Sequence, residues 1–399
     1  MSVSHNIKEF LTSSKEERLE IKNSFSSLEF GVLKETSFQE NRVSLTPDSV
    51  SFLCQKGHKV LVESNAGLKS SFLDNDYIKA GAIISSKEDV IKSDYILKIE
   101  PLTLSEIKLM KPNQIVFSAV QLNTRNFEFF DLLLKKNITS LAFEFIKDKM
   151  GEFPFVRSMS EIAGKTSILI AGEYLSNEHG GRGLMFGGVS GSISTNVLII
   201  GAGNVAEYAC QAALGLGASI TVFDDSLYKL KRIQTNVSKS IMTSTLQQSQ
   251  LINSLINTDV LITAKRLEDD SSYIISEDMV KRMKNGSVII DVSIDQGGCC
   301  ETSTITNHES PIFTKHGVIH YCVPNIASRV SRSASISISN ILCSIINEIS
   351  FEGGLENSII KYEYLRSGVY TFNSMLTNQI ISNKFSYNFK DLNLILPFR

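Results

Sequence analysis

Val197-Leu198-Ile199-Ile200-Gly201-Ala202-Gly203-Asn204-Val205-Ala206 is the stretch whose reading decides the fold. Four consecutive apolar residues suit a strand buried on both faces, and the Gly-x-Gly-x-x-Ala turn that follows leads straight into a helix. That helix runs through Leu214, and Ile220-Thr221-Val222-Phe223 forms the next strand, closed by Asp224. Bare backbone at Gly201 and Gly203 lets a pyrophosphate approach the amino end of the helix. Asp224 follows Gly201 by 23 residues, where a carboxylate accepts from the adenosine ribose hydroxyls. A tight strand-to-helix turn without a ligand has the same local form; the two strands, the helix and the acid together favour a dinucleotide site, with NAD as the cofactor. Asp225 beside it reads as a solvated loop residue.

The same texture extends outward in both directions. Downstream lie VLITA, SVIIDVS and VIHYCV; upstream lie FGVLKE, KVLVES, YILKIE, QIVFSA and ITSLAFE. Short β-rich runs alternating with helical stretches predict an α/β protein with two Rossmann-like parallel sheets. The glycine-rich segment 179–191 reads as a linker, and a helix over about 158–175 bridges the two units. Near Arg329 the run SASISISN alternates as a strand would, but Ile338, Ile341, Leu342, Ile345, Ile346 and Ile349 keep helical spacing, so a helix is expected there. Residues 1–27 are polar and form an appended extension.

At 399 residues the chain is long enough for two or three domains. Lys plus Arg total 40 against 42 Asp plus Glu, a net charge of −2, which argues against a general binder of nucleic acid or anionic membrane. The six cysteines, Cys54, Cys210, Cys299, Cys300, Cys322 and Cys343, contain no CxxC pair and suit a reducing, cytoplasmic setting. The opening MSVSHNIKEF meets charge before an apolar core can form, unlike a secretory signal. Residues 197–223 are long enough to cross a bilayer but carry Asn204, Glu207 and Gln211, which a buried strand-helix-strand explains better. No metal is expected, because Cys299, Cys300, His316, His320 and Cys322 lack zinc-site spacing.

Four residues could carry chemistry. Arg42, in NRVSLTP after the first strand, could grip a substrate carboxylate with its planar fork or simply form a salt bridge. Lys98 closes an apolar strand at the end where open α/β sheets place ligands, and either contacts a ligand or pairs with Glu100 or Glu144. Asp291 and Asp295 lie four apart at the end of SVIIDVSIDQGG; such a strand end can aim one carboxylate at a nicotinamide, or both acids can cap turns.

In combination, GVLKETSFQENRVSLTPDSV, GHKVLVESNAG, ILKIEPL, SEIAG, NVLIIGAGNVAEYA, GSVIIDVSIDQGGCCET and HGVIHYCVPNIASRVSRSAS resemble, in this order, the alanine dehydrogenase family, whose fold is shared with the NAD-binding subunit of proton-translocating transhydrogenases. The resemblance implies a discontinuous catalytic domain (28–153 and 331–399) clasping an inserted NAD-binding domain (154–330). It implies that Arg42 and Lys98 bind pyruvate or L-alanine and that Asp295 is the acid beside the nicotinamide. Ser160, Gly201, Gly203, Asn204, Val205, Asp224, Lys229, Val323, Asn325 and Ile326 would line the NAD site, and the assembly would be a homo-oligomer. One position departs: where familiar members carry a histidine after the Lys strand, this chain has Gln121, which cannot exchange a proton near neutral pH. Either proton transfer then falls to Asp295, Lys98 and water, or the activity differs. The activity implied is oxidative deamination of L-alanine to pyruvate and ammonia; a transhydrogenase subunit and a non-catalytic NAD-binding relative are the alternatives.

Overall fold

The computed structural model describes residues 27–267 and 273–396, so all but the last residue of the expected 1–27 extension lies outside the described residues. In chain order come β1 (Glu29–Val32), β2 (Lys59–Glu63), β3 (Ile83–Ser85), β4 (Tyr95–Leu97), β5 (Ile115–Ser118) and β6 (Thr139–Ala142). A second series follows: β7 (Asn196–Ile200), β8 (Ser219–Phe223), β9 (Met242–Ser244), β10 (Val260–Thr263), β11 (Val288–Asp291), β12 (Ile312–Lys315) and β13 (Val318–Tyr321). Two late strands, β14 (Val369–Phe372) and β15 (Met375–Leu376), return to the first sheet.

The sheets are ordered β15-β14-β6-β5-β4-β1-β2-β3 and β12-β13-β11-β10-β7-β8-β9. Each runs 3-2-1-4-5-6 through its parallel strands, the doubly wound order, with antiparallel strands added at one side. Strand order therefore reverses between β1 and β4 in one sheet and between β7 and β10 in the other. Register keeps the carboxyl ends level: Val32 lies opposite Leu97, and Ile200 opposite Thr263. Both faces of each sheet are packed. In the first, Phe30, Val32, Leu97 and Phe117 join one core and Ile96, Val116 and Ala142 the other, which is why these strands read as near-continuous apolar runs.

The bridging helix is Pro154–Tyr174, starting four residues earlier than expected because Pro154 takes its first position. It crosses the helix Asn204–Gly215 at Gly164, where a Cβ would sit 2.4 Å from the Val205 carbonyl. The segment 179–191 is not the slack linker expected from its composition. A Cβ on Gly181 would meet the Tyr174 carbonyl at 2.2 Å, and one on Gly187 the Leu216 carbonyl at 1.8 Å, so these glycines permit close backbone packing.

The Ser-Ile alternation resolves as the helix Ser331–Phe351, preceded by a short turn, Ile326–Val330. Its buried serines keep i, i+4 spacing: Ser335 Oγ accepts from Val43 N and Ser339 Oγ from Thr46 N, each at 2.9 Å. The C-terminal helix thus fixes the loop that carries Arg42. Ile326–Phe351 is long and apolar enough by composition to cross a membrane, but half of that stretch is buried in the fold.

Candidate active site

The loops leaving β1, β4 and β5 converge where strand order reverses in the first sheet, the place open α/β sheets offer a ligand. Arg42 arrives on the loop after β1 and is held by Glu40. Nε donates to Oε1 at 2.8 Å and Nη2 to Oε2 at 2.5 Å, while the third nitrogen lies 3.4 Å from Met159 Sδ. The fork expected for a substrate carboxylate is therefore closed on a buried internal one, and Arg42 holds the Glu40 carboxyl well below the usual carboxylate range despite its burial. Asn325 Nδ2, from the loop after β13, donates to the same Glu40 Oε2 at 2.8 Å and so ties the second sheet to the first.

Lys98 is fully buried just beyond β4. Its partners correct the sequence expectation: Nζ donates to Glu106 Oε2 at 3.1 Å and Pro101 O at 3.3 Å, with Glu35 at 3.9 Å, rather than pairing with Glu100 or Glu144. Glu106 closes a capping box with Thr103 and also takes Lys87 Nζ at 2.7 Å. The T-x-x-E spacing of that box was legible in the sequence and marks Glu106 as a fixed, buried acid. Burial pushes the Glu35 carboxyl up to about 8 although Lys98 opposes the shift.

Gln121 follows β5 in the left-handed region, φ 47°. Its backbone N–H donates to Glu144 Oε1 at 3.0 Å and its side-chain Nε2 to Glu100 Oε2 at 2.7 Å. Glu144 also takes Val120 N–H, so both expected lysine partners instead brace the Gln121 turn. Burial and the facing Glu40 carboxylate push the Glu100 carboxyl up to about 7; Arg42 and the Gln121 amide draw it down. Sequence reasoning saw Glu100 only as a lysine partner and missed Glu35 and Glu40 altogether. The signal for Glu40 was its place two residues before Arg42, within bidentate reach.

In the second sheet, the turn after β7 has the form a dinucleotide requires. Gly201 has φ 101°, and a Cβ there would lie 2.7 Å from the Ala264 carbonyl. Gly203 differs: its φ is −79° and a Cβ would meet nothing within 4 Å, so the space it leaves is open to a ligand rather than filled by protein. Asn204 and Val205 begin the helix behind it, and Ala206 is buried. Asp224 is almost completely buried. Its Oδ2 takes Ala202 N–H at 2.7 Å and Oδ1 takes Ser226 N–H at 2.8 Å, which pins the glycine turn. Asp225 is exposed, as expected, and pairs with Lys265 at 2.9 Å.

Lys229 is exposed on the helix Leu227–Asn236, Ser160 half-buried on Pro154–Tyr174, and Val323 and Ile326 buried at the end of β13. The acid pair after β11 divides by role. Asp291 is buried and accepts from Ser293 N and Oγ. Asp295, on the turn Ile294–Gln296, is exposed; desolvation by the surrounding chain pushes its carboxyl up, while Gln296 and Arg266 pull it back.

Two family models match in series: the alanine dehydrogenase/PNT N-terminal domain over residues 31–163 and the C-terminal domain over 167–379. The chain belongs to the alanine dehydrogenase/PNT family. Among its members, the alanine dehydrogenase of Staphylococcus epidermidis is 34% identical over 372 residues, covering 92% of this chain and 99% of that one. Alanine dehydrogenase of Bacillus subtilis is 33% identical over 362 residues, 90% of this chain and 95% of its own. A solved L-alanine dehydrogenase superposes with a TM-score of 0.81 at 30% identity, covering 89% of this chain and 98% of that one. A transhydrogenase from Sinorhizobium meliloti shares the fold, with a TM-score of 0.74 at 21% identity over 88% of this chain and 99% of its own.

Proposed function

We propose that this chain is an NAD-dependent alanine dehydrogenase that deaminates L-alanine oxidatively to pyruvate and ammonia and runs in reverse as a reductive amination. The observation that carries the reading is the pairing of two switch points: buried Arg42 and Lys98, each held by carboxylates, at one, and an open glycine turn at Gly203 at the other, with Asn325 tying the second sheet's loop to Glu40. A nicotinamide held by the glycine turn and Asp224 would supply the hydride acceptor and donor that the reaction at C2 of the amino acid needs.

The remaining work belongs to the chain. Arg42 exchanges Glu40 for the substrate carboxylate, which offers the same two oxygens to the fork. Lys98 polarises the substrate carbonyl and Asp295 assists the water that adds at C2. Gly201, Gly203, Asn204 and Val205 seat the pyrophosphate; Asp224 and Lys229 flank the adenosine end; Ser160, Val323, Asn325 and Ile326 line the nicotinamide end. In this reading residues 28–153 and 331–399 form the substrate domain and 154–330 the cofactor domain.

The chain is further read as a cytoplasmic homo-oligomer. Its six cysteines are all free, and Leu169, Met185, Val189 and Ile193 present apolar surface suited to a second copy. The deciding experiment follows NADH consumption with pyruvate and ammonium, comparing glyoxylate, 2-oxobutyrate and NADPH. NADH binding without turnover of any of these 2-oxo acids would overturn the reading in favour of a non-catalytic binder.

A further inference from the structure

Gln121 leaves its position without a titratable group, but its amide is bonded to one. Glu100 and Gln121 stand on the loops after β4 and β5, neighbouring strands in which Leu97 lies opposite Phe117. The other carboxylates nearby are committed. Glu40 holds Arg42 and Asn325, Glu106 holds Lys98 and Lys87, Glu35 takes the Ile99 N–H, and Glu144 takes the N–H groups of Val120 and Gln121. Glu35, Glu40 and Glu106 are also sealed from solvent, with exposures of 4%, 1% and 0%. Glu100 and Glu144 keep open surface, but Glu144 is held by two backbone N–H groups, so Glu100 is the one that can pass a proton to an entering substrate.

We propose that Glu100 is the proton-exchanging residue of this site, taking one proton from the substrate ammonium in deamination and returning it in amination. The inference rests on the dehydrogenase reading above. The step balances within the site: a substrate N–H bond breaks as the Glu100 O–H bond forms, and the electron pair stays on nitrogen. An ammonium and a carboxylate become a neutral amine and a carboxylic acid, and the reverse direction restores both.

The surroundings suit that cycle. Glu100 faces Glu40 and Arg42 on the loop before the helix Pro47–Gln55, Glu35 at the end of β1, and Gln121 and Arg125 after β5; Lys98 lies two residues before it. Two carboxylates facing one another cannot both ionise freely. Before substrate enters, Arg42 fixes Glu40 as the ionised member, so the proton resides on Glu100, whose carboxyl is pushed up to about 7. A group with that value changes state readily near neutral pH, as a general acid-base must.

The test uses the full-length protein and two readouts. In steady-state kinetics with L-alanine and NAD, kcat/KM of the wild type should fall about tenfold per pH unit below about pH 7. Glu100→Gln, which keeps the shape and can still accept from Gln121, should lower kcat/KM by roughly 10²-fold or more and lose that limb, while NADH binding stays within a few-fold. An unchanged limb in this variant would overturn the proposal. Infrared titration without substrate or cofactor should show, besides the Glu35 carboxyl that converts near pH 8, a carboxyl carbonyl band that converts to carboxylate near pH 7 in the wild type and is missing in Glu100→Gln. Persistence of that band in the variant would place the proton elsewhere.

A third measurement guards the environment: Glu40→Gln removes the facing charge and frees Arg42, so the infrared midpoint should move to lower pH. An unmoved midpoint would overturn the pairing of the two carboxylates. If the wild type binds NADH but turns over no 2-oxo acid with ammonium, the functional reading and the proposed role fail together, while the infrared band still reports whether Glu100 holds the proton.

Discussion

Around Arg42 and Lys98 the side chains form a buried network with more carboxylates than cations, so its protons are part of the structure. Glu40 is the ionised anchor. Its lowered pKa contributes stability that is present above the ordinary carboxylate value and is lost as pH falls toward about 2. Arg42→Met should destabilise the protein by about 3–5 kcal/mol in urea unfolding, because it strands that charge in the interior. Glu35 has the opposite sign. It keeps its proton up to about pH 8 when folded but ionises from its ordinary 4.5 when unfolded, so stability falls as pH rises through this window. Glu35→Gln should therefore raise the thermal midpoint relative to wild type at pH 8 and change it little at pH 4.5; parallel pH profiles would refute the assignment. Two further substitutions separate chemistry from contact. Asp295→Asn should reduce kcat by roughly 10²-fold with NAD affinity within a few-fold. Gln121→Ala should cost about one hydrogen bond, ~0.5–1.5 kcal/mol in kcat/KM. A silent Asp295→Asn beside an inactive Gln121→Ala would reverse the assignment.

The glycine turn after β7 shows how two glycines in one element serve different ends. Gly201 is required by the fold, since its φ of 101° and its approach to the Ala264 carbonyl leave no room for a side chain. Gly203 is required only by a ligand. Gly203→Ala should therefore unfold within about 0.5 kcal/mol of wild type yet bind NADH at least tenfold more weakly by fluorescence titration, whereas Gly201→Ala should lose stability itself. Normal NADH affinity in Gly203→Ala would remove the pyrophosphate from that turn. Asp224 anchors the same element, and a 2′-phosphate brought to its carboxylate meets repulsion on the order of 1 kcal/mol. NAD should accordingly exceed NADP in kcat/KM, and equal use of both would sink the assignment. The strands that sequence patterning passed over, β3, β9, β12, β14 and β15, all lie at or next to a sheet edge. β3, β9 and β12 are short and half-exposed, so they carry little of the apolar signal that marked the central strands. β14 is buried, but its partner β6 precedes it by over two hundred residues, beyond any local pattern.

Across the whole molecule, the loop 39–42 is clasped from the second sheet's side: Gln39 Oε1 takes His308 N–H, Ser328 Oγ takes Asn41 N–H, and Asn325 reaches Glu40. Residues 1–26 contribute no candidate ligand in the sequence, so a chain starting at Ser27 should keep its turnover with pyruvate and ammonium if its assembly state in size-exclusion chromatography is preserved. Lost turnover at intact assembly would show that the extension acts in the chemistry. By itself the sequence determined the two alternating α/β series, the glycine turn with its acid, and the positions of Arg42, Lys98 and Asp295, because strand burial and turn sterics are written within some twenty residues of chain. Only the tertiary structure decided that Lys98 belongs to Glu106, that Arg42 is closed on Glu40, and that Glu100 meets the Gln121 amide. Those outcomes depend on which charges share a desolvated space, and residues from β1, β4, β5 and β13 meet there only after both sheets have formed.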